Sequence, residues 1–232
     1  MSESRFLIVN ADDLGLSAGV NAGVFEAHER GIVTSASLMV CAPAATEAVA
    51  ELPAHPGLAV GLHLDLAEWR YENGEWRSVY ERCTLKDPDS VEVECRAQLE
   101  MFRGLTAHPP THLDSHQHLH MEEPVAAVAA GLAGELGVPL RAKTIRYEGG
   151  FYGQSGKGEP FPAGIEVERL VELIESLPAG WTELGCHPGL GVGAESTYGP
   201  ERERELGSLC DQRVREAIER AGIELRSFKQ LR

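Results

Sequence analysis

Short apolar runs alternate with amphipathic segments along the whole chain, and this alternation limits the fold more than any other feature of the sequence. Runs such as Arg5–Asn10 and Leu58–Leu66 are short and strongly apolar, which predicts buried strands. The intervening segments, such as Pro88–Gly104, have the composition and spacing of helices. Strands that alternate with helices indicate a parallel sheet. We expect one domain, 1–232, folded as an irregular, TIM-barrel-like (β/α) barrel of the α/β class.

The predicted strands share high apolar content and β-branched residues; they cover Arg5–Asn10, Ile32–Val40, Leu58–Leu66, Thr111–His116, Val138–Lys143, Trp181–Cys186 and Ile223–Phe228. The predicted helices cover 17–30, 44–52, 88–104, 124–137, 165–177 and 200–221. An aromatic, polar insertion, Trp69–Cys83, follows the third strand. In a parallel barrel the carboxyl ends of all strands meet at one mouth, where such enzymes place their sites.

Composition excludes several classes of partner. The net charge of −15 argues against a phosphate backbone or an anionic membrane surface. No apolar run approaches the roughly 18 residues of a membrane span, and the apolar run near the N-terminus is too short for a signal peptide. The five cysteines are odd in number and widely spaced, as in reduced proteins. We therefore expect a cytoplasmic protein with no nucleic-acid or membrane partner.

The segment 111–120, THLDSHQHLH, contains four histidines and one aspartate. Such a density of imidazoles indicates a metal ion or proton transfer beside one. The polar positions share one parity, so an extended chain would direct them to one face; they are His112, Asp114, His116, His118 and His120. Strand residues two apart are separated by roughly 6.6 Å, so only one or two of these histidines can bind a single ion.

Other polar side chains fall at the predicted carboxyl ends of different strands, namely Asp12, Asp13, His63, Arg141, Lys143 and His187. Two imidazoles and one carboxylate form a metal site that leaves positions open for water or substrate, and we assign Asp13, His63 and His116. Asp114 would accept a hydrogen bond from a ligating imidazole. Asp12 and Asp13 could instead cap a helix, although Ser17 already offers a cap. His63 could be a core histidine, and His112 is assigned a structural role.

Five blocks of sequence resemble the YdjC-like family of carbohydrate deacetylases (ChbG/HpnK type). They occur in family order and span almost the whole chain: LIVNADDLGLS at 7–17, GIVTS at 31–35, GLHL at 61–64, THLDSHQHLH at 111–120 and CHPG at 186–189. The resemblance implies an irregular βα-barrel and one divalent metal ion, Mg²⁺ or Zn²⁺. It implies removal of an acetyl group from an N-acetylated saccharide, chitooligosaccharide-like or otherwise containing N-acetylglucosamine. It is also compatible with a homodimer.

The family's metal aspartate and histidines match Asp13, His63 and His116. Gln117 departs from the pattern, since many relatives carry a further histidine there, and we expect little effect on the metal. For metal-assisted amide hydrolysis, we assign Asp12 as the general base. His187 is our candidate for the acid that protonates the leaving amine, with His118 second. Arg141 would hold Asp12 or a substrate oxygen, or simply form a surface salt bridge.

The remaining assignments concern substrate contacts. His120 and Trp76 are assigned to substrate or to support of the site, and the insertion that contains Trp76 could equally pack on its own barrel. Phe151 and Tyr152 are expected to form the opposite wall. Two other functions stay open: another metal-dependent amidohydrolase or phosphoesterase, and a non-catalytic sugar- or metal-binding protein. The H-x-H on the fourth rather than the first strand counts against typical amidohydrolases, and Asp12 beside Asp13 counts against a binding protein.

Overall fold

In the residues that the structure describes, seven strands form one curled parallel sheet and two more form a separate antiparallel hairpin. The computed structural model describes residues 4–191 and 198–231, so both ends of the predicted domain 1–232 lie outside the described residues. The strands of the sheet are β1 (Arg5–Leu14), β2 (Ser35–Leu38), β3 (Ala59–Leu64), β6 (Leu113–Ser115), β7 (Arg146–Glu148), β8 (Gly180–Cys186) and β9 (Ile223–Leu225). The hairpin strands are β4 (Ala67–Glu72) and β5 (Glu75–Glu81).

Helices cover the outer face of the sheet, and local signals define several of their ends. They are α1 (Ala18–Arg30), α2 (Ala45–Glu51), α3 (Pro88–Thr106), α4 (Val125–Leu136), α5 (Val167–Ser176), α6 (Pro200–Cys210) and α7 (Gln212–Arg220). The Ser17 hydroxyl accepts the Val20 N–H and caps α1, as predicted. Among the described residues, none of the helices has both the length and the apolar character that a bilayer crossing needs.

The sheet is an open half-barrel. Its strand order is β6-β3-β2-β1-β8-β7, and β9 pairs with the first residues of β1. Beyond β6, Leu140 adds a single parallel bridge to Leu113. At the other edge β7 begins at Arg146, so only a short stretch of chain joins the two edges. The predicted α/β class and parallel sheet are therefore confirmed, but the barrel does not close.

Alternate residues of each strand face opposite sides of the curled sheet. In β1, Leu7 and Val9 belong to the main apolar core under the helices. Ile8, which lies between them, belongs to a second, small cluster. Asn10, the next residue on the same side as Ile8, hydrogen-bonds to Ser37 across the concave side. The interior of the half-barrel is therefore lined largely by polar side chains, whereas typical (β/α) barrels fill this space with aliphatic residues.

A small apolar cluster closes the end of the half-barrel opposite the mouth. Ile8, Ala59 and Phe228 form it. The Phe228 ring stacks on His112, with centroids 3.8 Å apart. A Cβ at Gly61 would lie 2.5 Å from that imidazole, so glycine is required for this close approach. The histidine assigned a structural role therefore forms part of the packing at this end.

The predicted strand Val138–Lys143 is wrong. Only Leu140 makes a bridge, because the chain turns immediately afterwards: Lys143 and Thr144 both donate their N–H to the Leu140 carbonyl, and Ala142 is left-handed with φ 58°. The strand in this region is β7. Arg141 therefore lies in a turn and not at the end of a strand.

The predicted helix Pro200–Ala221 is two helices. The chain leaves helical geometry at Asp211 (φ −69°, ψ 134°), and the Asp211 carboxylate accepts the Arg213 N–H to cap α7. The predicted last strand Ile223–Phe228 is also too long, because Phe228 begins a short 3₁₀ turn, Phe228–Gln230.

The histidine segment is not an extended strand. Only Leu113–Ser115 is β-structure, and His116–Met121 is a turn in which Gln117 (φ 49°) and His118 (φ 56°) are left-handed. The shared parity therefore does not place all the histidines on one face. Each of them has a different environment.

Candidate active site

A bulge at the end of β1 brings two consecutive aspartates into the same cavity. The register between β1 and β2 shifts between Ala11 and Leu14, and Asp13 is left-handed with φ 65°. Adjacent residues of a regular strand would face opposite sides, but Asp12 and Asp13 both line the cavity at the mouth of the half-barrel and are each 2% exposed. The bulge therefore brings both carboxylates to one cavity.

Asp13, His63 and His116 come together as assigned from the sequence. The Asp13 Oδ1 atom lies 3.3 Å from His63 Nε2 and 3.2 Å from His116 Nδ1. One ligand atom from each residue falls within 4.8 Å of the others, which is close enough for all three to hold one ion. A second group of similar compactness, Asp12, His63 and Asp114, exists. Arg141 binds both oxygens of Asp12 and one of Asp114, whereas Arg202 binds only Oδ2 of Asp13 and leaves Oδ1 facing the imidazoles, so the first group is the better metal site.

The hydrogen bonding of His63 fits a metal ligand. Its Nδ1 atom lies 2.8 Å from Asp114 Oδ1, so a proton on Nδ1 leaves the Nε2 lone pair directed toward Asp13. Among the described residues, His116 Nε2 has no hydrogen-bond partner although it is buried. Both imidazoles therefore retain a nitrogen for coordination. Asp114 makes the hydrogen bond to His63 that was expected of it, and its other oxygen accepts from the Ser37 hydroxyl at 2.6 Å.

The site has an excess of negative charge that a cation would neutralise. Burial alone would lower the pKa of His63, but the nearby carboxylates of Asp114, Asp13 and Asp12 raise it to about 10. Burial likewise opposes ionisation of Asp13, but Arg202 and the two imidazoles hold its pKa well below the usual range. The same electrostatic field favours a bound divalent ion.

Arg202 is a site residue that the sequence did not indicate. It lies on α6, is 2% exposed, and donates from Nη2 to Asp13 Oδ2 at 2.6 Å. It also donates to the carbonyls of Tyr198 and His187. In the sequence it is one of several charged residues in a helical segment, so no local pattern distinguishes it.

Asp12 is held by a buried arginine. Both of its carboxylate oxygens accept from Arg141 at 2.6 Å, and Arg141 also contacts Asp114 at 2.9 Å and Glu183 at 2.7 Å. Burial alone would raise the pKa of Asp12, but Arg141 lowers it. Burial raises the pKa of Glu183 to about 7 despite the same arginine. The alternative of a surface salt bridge for Arg141 is wrong, since its side chain is fully buried.

His187 lies beside Asp12. Its Nε2 atom is 3.8 Å from Asp12 Oδ2, and its Nδ1 atom is 3.8 Å from Glu205 Oε1. The buried Glu205 carboxylate also accepts the backbone N–H of His187 and the hydroxyl of Tyr198, and so fixes this segment. Burial alone would lower the pKa of His187, but Glu205 and Asp12 raise it. Both carboxylates therefore stabilise the protonated form of the imidazole.

The other histidines differ in their access to the cavity. His118 lines it, and its Nε2 atom lies 3.4 Å from the Tyr147 hydroxyl. His120 is fully buried and bonded through Nδ1 to Ser115 Oγ at 2.7 Å, and it is not among the cavity-lining residues. Burial lowers the pKa of both to about 4, so both imidazoles are neutral near pH 7.

The cavity has a volume of about 1330 Å³ and lies between two walls. Pockets for drug-sized ligands measure roughly 300–1,000 Å³, so there is room for more than one sugar ring. One wall is the hairpin, including Trp76, which is 56% exposed and meets Tyr71 edge-on. The other wall includes Phe151 and Tyr152, as expected from the sequence. Phe151 is itself part of the apolar core, whereas Tyr152 is partly exposed.

Comparison with known proteins places the chain in a family. The family model described as YdjC-like protein matches residues 6–220. The chain belongs to the YdjC-like family. It is 34% identical to a carbohydrate deacetylase of Geobacillus stearothermophilus, over 97% of this chain and 98% of that one. It is 32% identical to a chitooligosaccharide deacetylase of Serratia marcescens, over 98% and 99%.

A solved structure of another protein has a similar fold. An Enterococcus faecalis V583 protein named for cellobiose-phosphate cleavage superimposes with a TM-score of 0.81 and 27% identity. The alignment covers 98% of this chain and 99% of that one. The fold is therefore shared across nearly the full length.

Proposed function

We propose that this protein is a divalent-metal-dependent deacetylase that removes an acetyl group from an N-acetylated saccharide. The observation that carries the proposal is the cluster of Asp13, His63 and His116 beside Asp12, at the floor of a cavity large enough for an oligosaccharide. The names of the YdjC-like relatives support this reaction and this class of substrate.

Asp13, His63 and His116 would hold the ion. Two imidazole nitrogens favour Zn²⁺ or a similar transition metal over Mg²⁺, which prefers oxygen ligands. When bound there, a divalent ion would polarise the acetamide carbonyl and increase the acidity of a nearby water. Arg202 holds the second oxygen of Asp13, which leaves Oδ1 facing the two imidazoles.

Asp12 and His187 would move the protons. Asp12, oriented by Arg141, would accept the proton of the attacking water. His187 would then protonate the amine, which leaves poorly unless it is protonated. The raised pKa of His187 supports the role of acid. Its Nε2 atom lies 3.8 Å from Asp12, so the two side chains could act on the same amide, Asp12 on the water at the carbonyl carbon and His187 on the nitrogen.

Acetate release from a panel of N-acetylated sugars tests this function. We expect release from N-acetylglucosamine-containing saccharides by metal-reconstituted protein and none by metal-stripped protein. Sugar binding without acetate release under any metal would instead indicate a binding protein. Phosphate release from phosphorylated sugars without deacetylation would indicate a phosphoesterase.

A further inference from the structure

The side chain of Gln117 pairs with the backbone of the hairpin. Its Oε1 atom accepts the Trp69 N–H at 2.9 Å, and its Nε2 atom donates to the Trp69 carbonyl at 2.8 Å. A neighbouring strand would satisfy both main-chain groups in the same way. Gln117 thus acts as a one-residue clamp on β4.

The clamp joins two parts of the site. Gln117 directly follows His116 in the turn at the mouth, while Trp69 directly follows Glu68 on the hairpin. The carboxylate of Glu68 lies 4.0 Å from His116 Nε2. The left-handed conformation of both Gln117 and His118 directs this turn toward the hairpin. Movement of β4 away from the mouth would therefore break the clamp beside a proposed metal ligand.

A second glutamine makes the same pair of bonds at the base of the hairpin. Gln98, on α3, accepts the Asp65 N–H at 2.9 Å and donates to the Asp65 carbonyl at 2.7 Å. Asp65 also binds Tyr80 at 2.5 Å and Arg82 at 2.9 Å, which fixes the returning strand. Gln98 is fully buried and outside the cavity, whereas Gln117 is exposed at its rim.

The two glutamines hold different parts of the hairpin, Gln98 its base and Gln117 the strand β4. Within the described part of the chain, β4 and β5 pair with each other and with no strand of the main sheet. The base is fixed by Asp65, whatever happens at Gln117. In the middle of β4, the two bonds of Gln117 hold Trp69 beside the turn that contains His116, and Tyr71 on the same strand meets Trp76 of β5.

We propose that Gln117 is a positioning residue that holds the β4–β5 hairpin against the turn His116–Met121. The hairpin so placed determines how the site binds sugar rings beyond the reacting one. This inference rests on the proposed deacetylase function. It identifies the substrate class of that site as an oligosaccharide that contacts the hairpin as well as the mouth.

The test compares Gln117→Met with Gln98→Met, since methionine keeps the length of the side chain and removes both bonds. The probes are the trimer and the monomer of N-acetylglucosamine. For each sugar we measure the Kd by tryptophan fluorescence and the KM and kcat by acetate release. For each variant we also measure the bound metal and the hydrogen exchange at the Trp69 amide. For Gln117→Met we expect the rate of hydrogen exchange at the Trp69 amide to rise about tenfold. The Kd and KM for the trimer should rise by about the same factor, as the loss of exposed hydrogen bonds allows. The monomer values and the metal content should change less than twofold.

For Gln98→Met we expect a lower Tm and equal effects on trimer and monomer. If that variant does not fold, Gln98→Glu, which retains the bond from the Asp65 N–H, replaces it. Unchanged exchange at Trp69 in Gln117→Met would overturn the clamp. Faster exchange with equal effects on both sugars, or no binding of the trimer by the wild type, would overturn the positioning role. Binding of the trimer without acetate release would refute deacetylation alone, because exchange and Kd still decide the role of Gln117.

Discussion

Asp12 and Asp13 are neighbours in the sequence but have separate sets of partners. Asp13 faces two imidazoles and has one oxygen held by Arg202. Asp12 has both oxygens held by Arg141 and also accepts from Asn10 at 2.8 Å. The first environment suits a metal ligand, and the second suits an oriented base. The left-handed Asp13 makes this division possible within one strand.

Removal of either imidazole should remove the metal. We expect His63→Ala and His116→Ala to lose both bound ion and acetate release, because Asp13 and a single imidazole are too few ligands to retain it. Elemental analysis and circular dichroism measure metal content and fold. Full occupancy in His63→Ala would contradict the assignment.

His112→Ala is the matched control, since its ring is bonded to Ser37 and stacked on Phe228 rather than bonded to a proposed metal ligand. It should keep the metal. The cavity left beside Phe228 should nevertheless cost about 2–4 kcal/mol of stability, measured by urea unfolding.

Asp12→Asn should separate chemistry from metal binding. The amide keeps the size of the side chain, and Arg141 retains Asp114 and Glu183 as partners. We expect the metal to stay bound while kcat falls about 10²–10⁴-fold, as for the loss of a general base. If Asp12→Asn empties the site and Asp13→Asn does not, the two roles are exchanged.

At the scale of elements, the hairpin is largely exposed and forms part of the cavity lining. The sequence predicted an aromatic, polar insertion there but not its antiparallel pairing. Exposed aromatic faces among polar neighbours suit the apolar faces of pyranose rings. On β5, Trp76 lines the cavity, whereas the equally exposed Val79 does not.

Trp76→Ala should therefore raise the KM for an oligosaccharide more than that for a monosaccharide. A lost stacking contact with one ring should raise the former about 5- to 20-fold, equivalent to roughly 1–2 kcal/mol. Steady-state acetate release measures both values, and Val79→Ala should change neither. Equal effects of Trp76→Ala on the two substrates would mean that the indole supports the hairpin itself.

Most elements could be predicted because their signals are local. Ser17 marks the start of α1, and apolar runs mark β1, β3 and β8. The failures have tertiary causes. Val138–Lys143 has the composition of a strand, but the turn after Leu140 allows only one bridge. Asp211 divides the last helical segment by capping α7, a signal hidden among many charged residues.

At the scale of the whole molecule, one side chain spans the open side of the half-barrel. Arg141 lies on the short connection between the two sheet edges. Its guanidinium reaches Asp12 on β1, Asp114 on β6 and Glu183 on β8. It therefore connects the edge strand β6 to β1 and β8, which lie inside the sheet and pair with each other.

Arg141→Met should destabilise the protein by about 3–5 kcal/mol, because it leaves buried carboxylates without a counter-charge. Urea unfolding measures the loss. Arg96→Met is the control, since Arg96 forms exposed ion pairs with Glu92 and Glu135, and it should have little effect. Equal small losses would show that Arg141 does not support the fold.

The sequence predicted that Asp13, His63 and His116 would come together because they lie at the carboxyl ends of separate strands, which meet at one mouth. The surrounding network was harder to predict. Otherwise apolar strands each contain a polar residue, such as Asn10, Ser37 and Glu183. These residues are a sign, detectable in the sequence, that one side of the sheet is polar. Arg202 and Glu205 lie on a helix, and only tertiary packing brings them to Asp13 and His187.

The pairing of Ala67 with Glu81 has a practical consequence. The chain leaves the half-barrel and returns to it at one point, so the hairpin is an exchangeable cassette. Grafting the corresponding segment of another family member between these two positions would alter the ligand-facing surface while leaving every residue of the proposed metal cluster in its own strand or turn. Variation among relatives could therefore accumulate in this cassette without disturbing the chemistry beneath it.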